Sequence, residues 1–295
     1  MKFRLTKAQL AHLRTVGEAL DNDVFPHVFR DGFVALAAPE DAPSKEQADV
    51  ERERARGSAA GSWSRAEAGS RRTPGETAPV RSGTEQTVRV PVLEELYASY
   101  PTQFIEGDHG LWIIVTSYPL GRDGPQVTFV LAYPASDKVP PRAWAFWKLG
   151  DFPKFVGPRH TNFPDASICA FGPDDGTWAR ADRLVALVDL YSTWVFRHLY
   201  LQQFGRWPGQ QYGLTALYRR SEFSPVEWCG CGSGKRYGKC HQAADNLLAD
   251  EEAREEHRRI LGSDYCARKP PRSVMKFVRS GFKKAPTFKD AYEAR

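Results

Sequence analysis

The chain has 295 residues, 41% of them hydrophobic, and a formal net charge of +5. That is enough for one ordinary core with accessory segments but not for two large domains. So mild a charge allows a nucleic-acid partner without requiring one. The first twenty residues mix Lys, Arg, His and Glu into an amphipathic pattern. They predict a helix over about 6–21 and exclude a signal peptide or a spanning segment there. The five cysteines, three of them in a metal-spaced cluster, fit a reducing compartment better than a disulfide framework. A cytoplasmic protein with no membrane association is expected.

In chain order, residues 1–36 read as an N-terminal helical segment. Residues 37–90 are dominated by Ala, Gly, Ser, Glu, Arg and Pro, with the charged patch Asp49-Val50-Glu51-Arg52-Glu53-Arg54. Their apolar side chains are too few to offset chain entropy, so a disordered linker is expected. Residues 91–222 form the main domain. A short helical or mixed lead-in over 92–97 precedes strands at 111–115, 127–133 and 143–147, separated by Gly and Pro turns. Short links between successive strands imply an antiparallel meander. From 182 to 201, Leu184, Leu187, Val188, Tyr191 and Val195 fall on one face of a helix long enough to cover that sheet. The expected fold class is α+β: a four-strand meander sheet packed on a long helix, with a small zinc knuckle (223–244) and a charged helix and basic tail (245–295) behind it.

Between the last of these strands and the long helix, residues 148–178 carry eight Gly and Pro breakers, among them Gly150, Gly157, Pro164 and Gly176. No regular element survives such a density, and compact loops of this length are commonly functional. Phe155, Phe163, Ile168 and Phe171 give the loop apolar residues to pack with. Within it, Cys169 follows His160 and Asn162. A thiol beside a carboxamide can hold an acyl group on sulfur and stabilise the oxyanion formed in transfer. The competing reading is a small buried hydrophobe, because free cysteine is among the most buried residue types. Trp178 reads as a core anchor.

The run from about 93 to 204 resembles the ubiquitin-conjugating-enzyme (UBC-like) fold, in the divergent form found in bacteria. His160-Thr161-Asn162 stands where that family has His-Pro-Asn, with Cys169 and Trp178 following in the family's order. Residues 127–134 are similar to its third strand with a terminal proline, and Pro140-Pro141 to the prolines before its fourth. Thr161 replaces the tripeptide proline, the stretch before the cysteine is one residue short, and Ala179-Arg180 replaces a Ser-Pro. The resemblance implies that Cys169 accepts a ubiquitin-like modifier from an activating enzyme as a thioester and passes it to a protein substrate. It implies that Asn162 donates to the oxyanion, that His160 shapes the loop, and that Asp174 or Asp175 orients or deprotonates an incoming lysine. It also implies a setting in anti-phage defence.

Cys229, Cys231, Cys240 and His241 form the most specific local pattern in the chain. Three thiolates and one imidazole close a tetrahedral Zn²⁺ site with no open position, so the metal is expected to be structural. Gly232, Gly234 and Gly238 allow the tight backbone, and so short a segment cannot fold without a staple. The string resembles the SEC-C motif at the end of the bacterial preprotein translocase motor, which implies zinc and a docking surface.

Residues 251–261 read as a charged helix with a solvated face. Beyond it Arg268, Lys269, Arg272, Lys276, Arg279, Lys283 and Lys284 are interleaved with Met275, Phe277, Val278 and Phe282. Such a tail can bind phosphate backbones or an acidic surface, or pack on the knuckle as an amphipathic segment. Three functions follow: a conjugating enzyme, a UBC-fold adaptor without catalysis, and a nucleic-acid-associated zinc protein. Cys266 belongs to neither constellation.

Overall fold

The structure, a computed structural model, describes residues 3–22, 27–29, 33–35, 90–121, 124–148, 153–170 and 177–292. These belong to one unit, Met1–Leu36 with Gln86–Arg295. The expected linker, apart from residue 90, and the candidate acid Asp174 lie outside the described residues.

Thr6 caps helix α1 (Lys7–Asp21). Its hydroxyl accepts from the Gln9 amide at 3.2 Å, and the Gln9 side chain accepts from the Thr6 amide at 2.9 Å. This reciprocal pair satisfies two amides the helix itself leaves orphaned. A hairpin of β1 (His27–Phe29) and β2 (Phe33–Ala35) follows. Then come α2 (Val90–Ser99) and five strands: β3 (Thr102–Gly107), β4 (Gly110–Thr116), β5 (Val127–Pro134), β6 (Arg142–Trp147) and β7 (Lys154–Phe155). The five pair in sequence order, every neighbour antiparallel. The sheet is thus the expected antiparallel meander but with five strands rather than four, the three placed in the sequence being flanked by the edge strands β3 and β7. Its first turn, Asp108-His109, joins Gly107 to Gly110 across a two-residue loop.

The strands alternate with period 2, yet both faces are buried. Ile113, Val115, Phe129, Leu131 and Trp147 face α3 (Leu184–Phe204), which fills the first core. Trp178 does not open that helix; it lies six residues ahead, buried, with its indole N–H on the Arg183 carbonyl at 3.2 Å. Helix α1 packs on α3, and contact is close: a Cβ at Gly17 would sit 2.1 Å from the Tyr200 ring. Among the described residues no helix is long and apolar enough to cross a membrane.

After α3 come α4 (Ala216–Glu222), a 3-10 turn at Tyr237–Lys239, α5 (Gln242–Leu247), α6 (Asp250–Leu261), α7 (Arg272–Arg279) and α8 (Phe288–Tyr292). Helix α6 is not solvated all round. Ala253 and His257 are fully buried, and His257 Nδ1 lies 3.0 Å from the Thr215 hydroxyl. The basic tail packs on the sheet rather than on the knuckle. Val274, Phe277 and Val278 of α7, with Phe288 and Ala291 of α8, cover Trp112, Val130, Trp144 and Phe146. The aromatic residues of the tail are core.

Candidate functional site

The segment read as an irregular loop contains a short hairpin. Thr161 and Ile168 pair antiparallel; the Cys169 amide donates to the His160 carbonyl at 3.1 Å and the Asn162 amide to the Ser167 carbonyl at 2.8 Å. Both flanks are tied to β6, with the Ile168 amide on Ala143 O at 2.7 Å and the Val156 amide on Ala145 O at 2.8 Å. Helix α3 holds it from beneath through the Trp194 indole N–H on His160 O at 2.8 Å. His160 and Ala166 adopt left-handed φ of 49° and 55°, a conformation that persists in non-glycine residues only where surroundings impose it. Thr161 and Ile168 are buried, whereas Asn162 and Cys169 are exposed. These two side chains therefore stand on the solvent side of one pinned hairpin.

Of the residues expected in the site, Cys169 and Asn162 share this surface. The Asn162 amide group donates to Ser167 Oγ at 3.0 Å and lies 3.4 Å from Ile168 O. His160 instead turns inward. Its Nε2–H reaches Gln211 Oε1 at 3.1 Å, its ring lies tilted with its centroid 4.5 Å from that of Trp207, and burial holds the imidazole well below its ordinary pKa. The imidazole is thus neutral and engaged away from the Cys169 surface.

Two buried ion pairs behind the hairpin were not anticipated. Arg159 forks onto Glu227, with Nη1 to Oε1 at 3.0 Å, and reaches Gln211 Oε1 at 2.8 Å. Glu227 is fully buried and also accepts from the Trp207 amide at 2.6 Å. Arg268 pairs with Glu222 and donates to Thr161 O at 3.1 Å. Arg268, grouped by sequence with the cations of the basic tail, is buried. No local pattern could have found either pair, since Arg159 meets Glu227 across 68 residues and Arg268 meets Glu222 across 46.

The four expected metal ligands converge, all donor atoms lying within 4.8 Å of one another. His241 Nδ1 is 3.2 Å from both Cys229 Sγ and Cys240 Sγ, and Cys231 Sγ is 3.6 Å from Cys240 Sγ. A tetrahedral ion with bonds of about 2.0–2.3 Å has ligand separations of roughly 3.5–3.8 Å, so the donor set is gathered on the scale such an ion needs. The Ser233 hydroxyl adds contacts of 3.1 Å to Cys231 and 3.3 Å to Cys240. It is the main cause of a Cys231 thiol pushed down to about 6, whereas burial pushes Cys229 up. Gly230 takes φ 74°, and a Cβ there would lie 2.6 Å from Gln211 O. Glycine is thus required where the knuckle meets the Gln211 segment.

Buried histidines give this region a pH dependence. His198 on α3 bonds the Arg159 carbonyl at 2.8 Å through Nε2, and burial pushes its pKa down to about 3. The unfolded chain takes up that proton near pH 6.5 while the native chain does not, so stability is full above pH 6.5 and is lost as pH falls from there toward 3. Between pH 7 and pH 5 His198 should remove about 2 kcal/mol, with His160 acting in the same direction. Denaturant midpoints at the two pH values check this; His198→Gln should reduce the difference.

Comparison with protein-family models, with curated proteins and with solved structures found no match to the chain. The chain combines an α+β fold, an exposed thiol on a pinned hairpin and a Cys₃His cluster able to hold a metal ion.

Proposed function

We propose that the protein is a ubiquitin-conjugating-type acyl carrier with Cys169 as its thioester-forming residue. The observation that carries the reading is the exposure of Cys169 on a hairpin bonded to β6 and to α3. Element order supports it: a helix, the antiparallel strands β3–β6, a thiol-bearing segment and a long helix, as the resemblance implies. In the first step the Cys169 thiolate attacks the carbonyl carbon of a modifier held as a thioester on the activating enzyme. The old C–S bond breaks and the donor sulfur leaves as thiolate. In the second, a substrate amine attacks the new thioester, an amide forms, and Cys169 leaves with the amine's proton passed to solvent or a nearby base. Asn162, exposed on the same face, is the donor for the oxyanion in both steps; loss of one such donor typically costs about 3–4 kcal/mol. Zn²⁺ is the ion proposed for the knuckle, with Cys229, Cys231, Cys240 and His241 as a closed structural set.

A second reading, a UBC-fold adaptor without catalysis, draws support from the engagement of the Asn162 amide with Ser167. The test is intact mass of protein recovered from its native host, for wild type, Cys169→Ser and Cys169→Ala, with and without thiol treatment. The expected result is a thiol-cleavable adduct on wild type, a thiol-resistant ester on the serine variant and none on the alanine variant. No adduct in the presence of a working activating enzyme hands the protein to the adaptor reading.

A further inference from the structure

The exposed thiol has a permanent cation behind it that its own hairpin does not supply. Arg268 comes from residues 262–271, between α6 and α7, and its side chain is only 3% exposed. Its guanidinium lies 4.6 Å from the Phe163 ring centroid and 5.5 Å from that of Tyr218. One arm pairs with Glu222 at the end of α4, and the other bonds Thr161 O, on the residue that pairs with Ile168 next to Cys169. We propose that Arg268 is a positioning residue for Cys169, fixing the hairpin through Thr161 and biasing the thiol toward its thiolate. The idea rests on the reading of Cys169 as the functional thiol, but it is tested on ionisation rather than on transfer.

The electrostatics agree with the geometry. Burial lowers the Arg268 pKa and raises that of the Tyr218 phenol; beside that effect a Cys169 thiolate favours the Arg268 charge and disfavours the phenolate, so both groups lie within its field. The attraction is mutual: whatever a thiolate contributes to holding the guanidinium charged, the guanidinium contributes to the thiolate. The remaining charged neighbours bear on the sign. Arg159 is neutralised by Glu227, and His160 is held neutral. Glu222 opposes Arg268 in the same buried pair, so removing the two partners separately must move the thiol in opposite directions.

The experiment is the alkylation rate of Cys169 by iodoacetamide between pH 5 and 10, on full-length Zn²⁺-loaded protein. Peptide mass spectrometry separates Cys169 from Cys266, which is also exposed. Arg268→Met should raise the midpoint of the rate profile by about one pH unit. Thiolate at neutral pH then falls about tenfold, but the rate falls only about threefold because a more basic thiolate is more nucleophilic. Arg268→Lys should stay near wild type, and Glu222→Gln should lower the midpoint. A general loosening of the hairpin would shift the two charge-removing variants the same way, and that result overturns the proposal. So does an unmoved midpoint in either, with thermal unfolding showing a folded chain. If Arg268→Met does not fold, Glu222→Gln decides alone by the direction of its shift. Absence of a modifier adduct in the earlier experiment leaves this profile intact, so the two failures are distinguishable.

Discussion

Removing the metal from the knuckle should lower the melting temperature of the whole unit by about 10 °C, not merely fray residues 229–241. Metal binding supplies on the order of 10–16 kcal/mol to comparable peptides. The apolar support of the knuckle is small: Tyr218, Phe223, Cys229 and Tyr237, with a few half-buried neighbours. Without the ion those contacts cannot hold three thiol groups and an imidazole within 4.8 Å of one another. Glu227 lies two residues before Cys229, and the Tyr237 amide donates to its carbonyl at 2.7 Å. Opening the knuckle therefore withdraws Glu227 from Arg159 and leaves a buried guanidinium unpaired. Breaking such a pair costs about 3–5 kcal/mol, and at this chain length each kcal/mol is worth about 2–4 °C. The measurement is thermal unfolding of loaded protein, of protein treated with a strong chelator, and of Cys229→Ser, beside metal content per chain. Glu227→Gln with the metal retained should reproduce part of the drop. An unchanged melting temperature after proven metal loss would mean that the knuckle folds without its ion and that Glu227 does not depend on it.

What could be read from the sequence and what could not divides along the range of the interactions. The metal ligands were legible because all four fall within thirteen consecutive residues and their chemistry needs that spacing. The central strands were legible because the runs around Phe129 and Trp144 are almost wholly apolar, the signature of a sheet covered on both faces. That same signature called for a second covering layer, and α7 carries it in plain view: Val274, Phe277 and Val278 stand three and four residues apart. The density of Lys and Arg between them left phosphate, an acidic surface and packing on the knuckle as the alternatives, and the sheet was not among them. Strand β3 was missed because it is an edge strand, with only Phe104 and Ile105 as its large apolar residues. The 160–169 hairpin was hidden by its breakers, for Phe163 and Pro164 belong to its turn rather than ending its pairing. The partners of Arg159 and Arg268 are fixed only by the closed fold.

Shortening the chain after residue 270 should abolish the folded state, and Phe277→Ala alone should cost about 3–5 kcal/mol. Phe277 is 1% exposed and packs 5.6 Å from Trp112 and 5.4 Å from Phe282, ring centroid to centroid. The truncation would uncover Trp112, Ile114, Val130, Trp144 and Phe146 together. It would also strip the Trp112 indole N–H of its acceptor, Pro286 O at 3.0 Å. Large apolar side chains contribute about 1.5–3 kcal/mol each on burial, so losing five covers approaches the whole stability of a typical domain, about 5–15 kcal/mol. The basic residues of the same helix behave differently. Arg272, Lys276 and Arg279 are exposed, and neutralising them to Gln should change stability by no more than about 0.5 kcal/mol. Denaturant titration of these variants separates the two faces of α7. A nucleic-acid role for the tail is then confined to the cations, since its aromatic rings are committed to the sheet and cannot stack on bases. Binding that survives neutralisation of all three cations would exclude the exposed face as the contact. A Phe277→Ala protein as stable as wild type would remove the second core from the account of this fold.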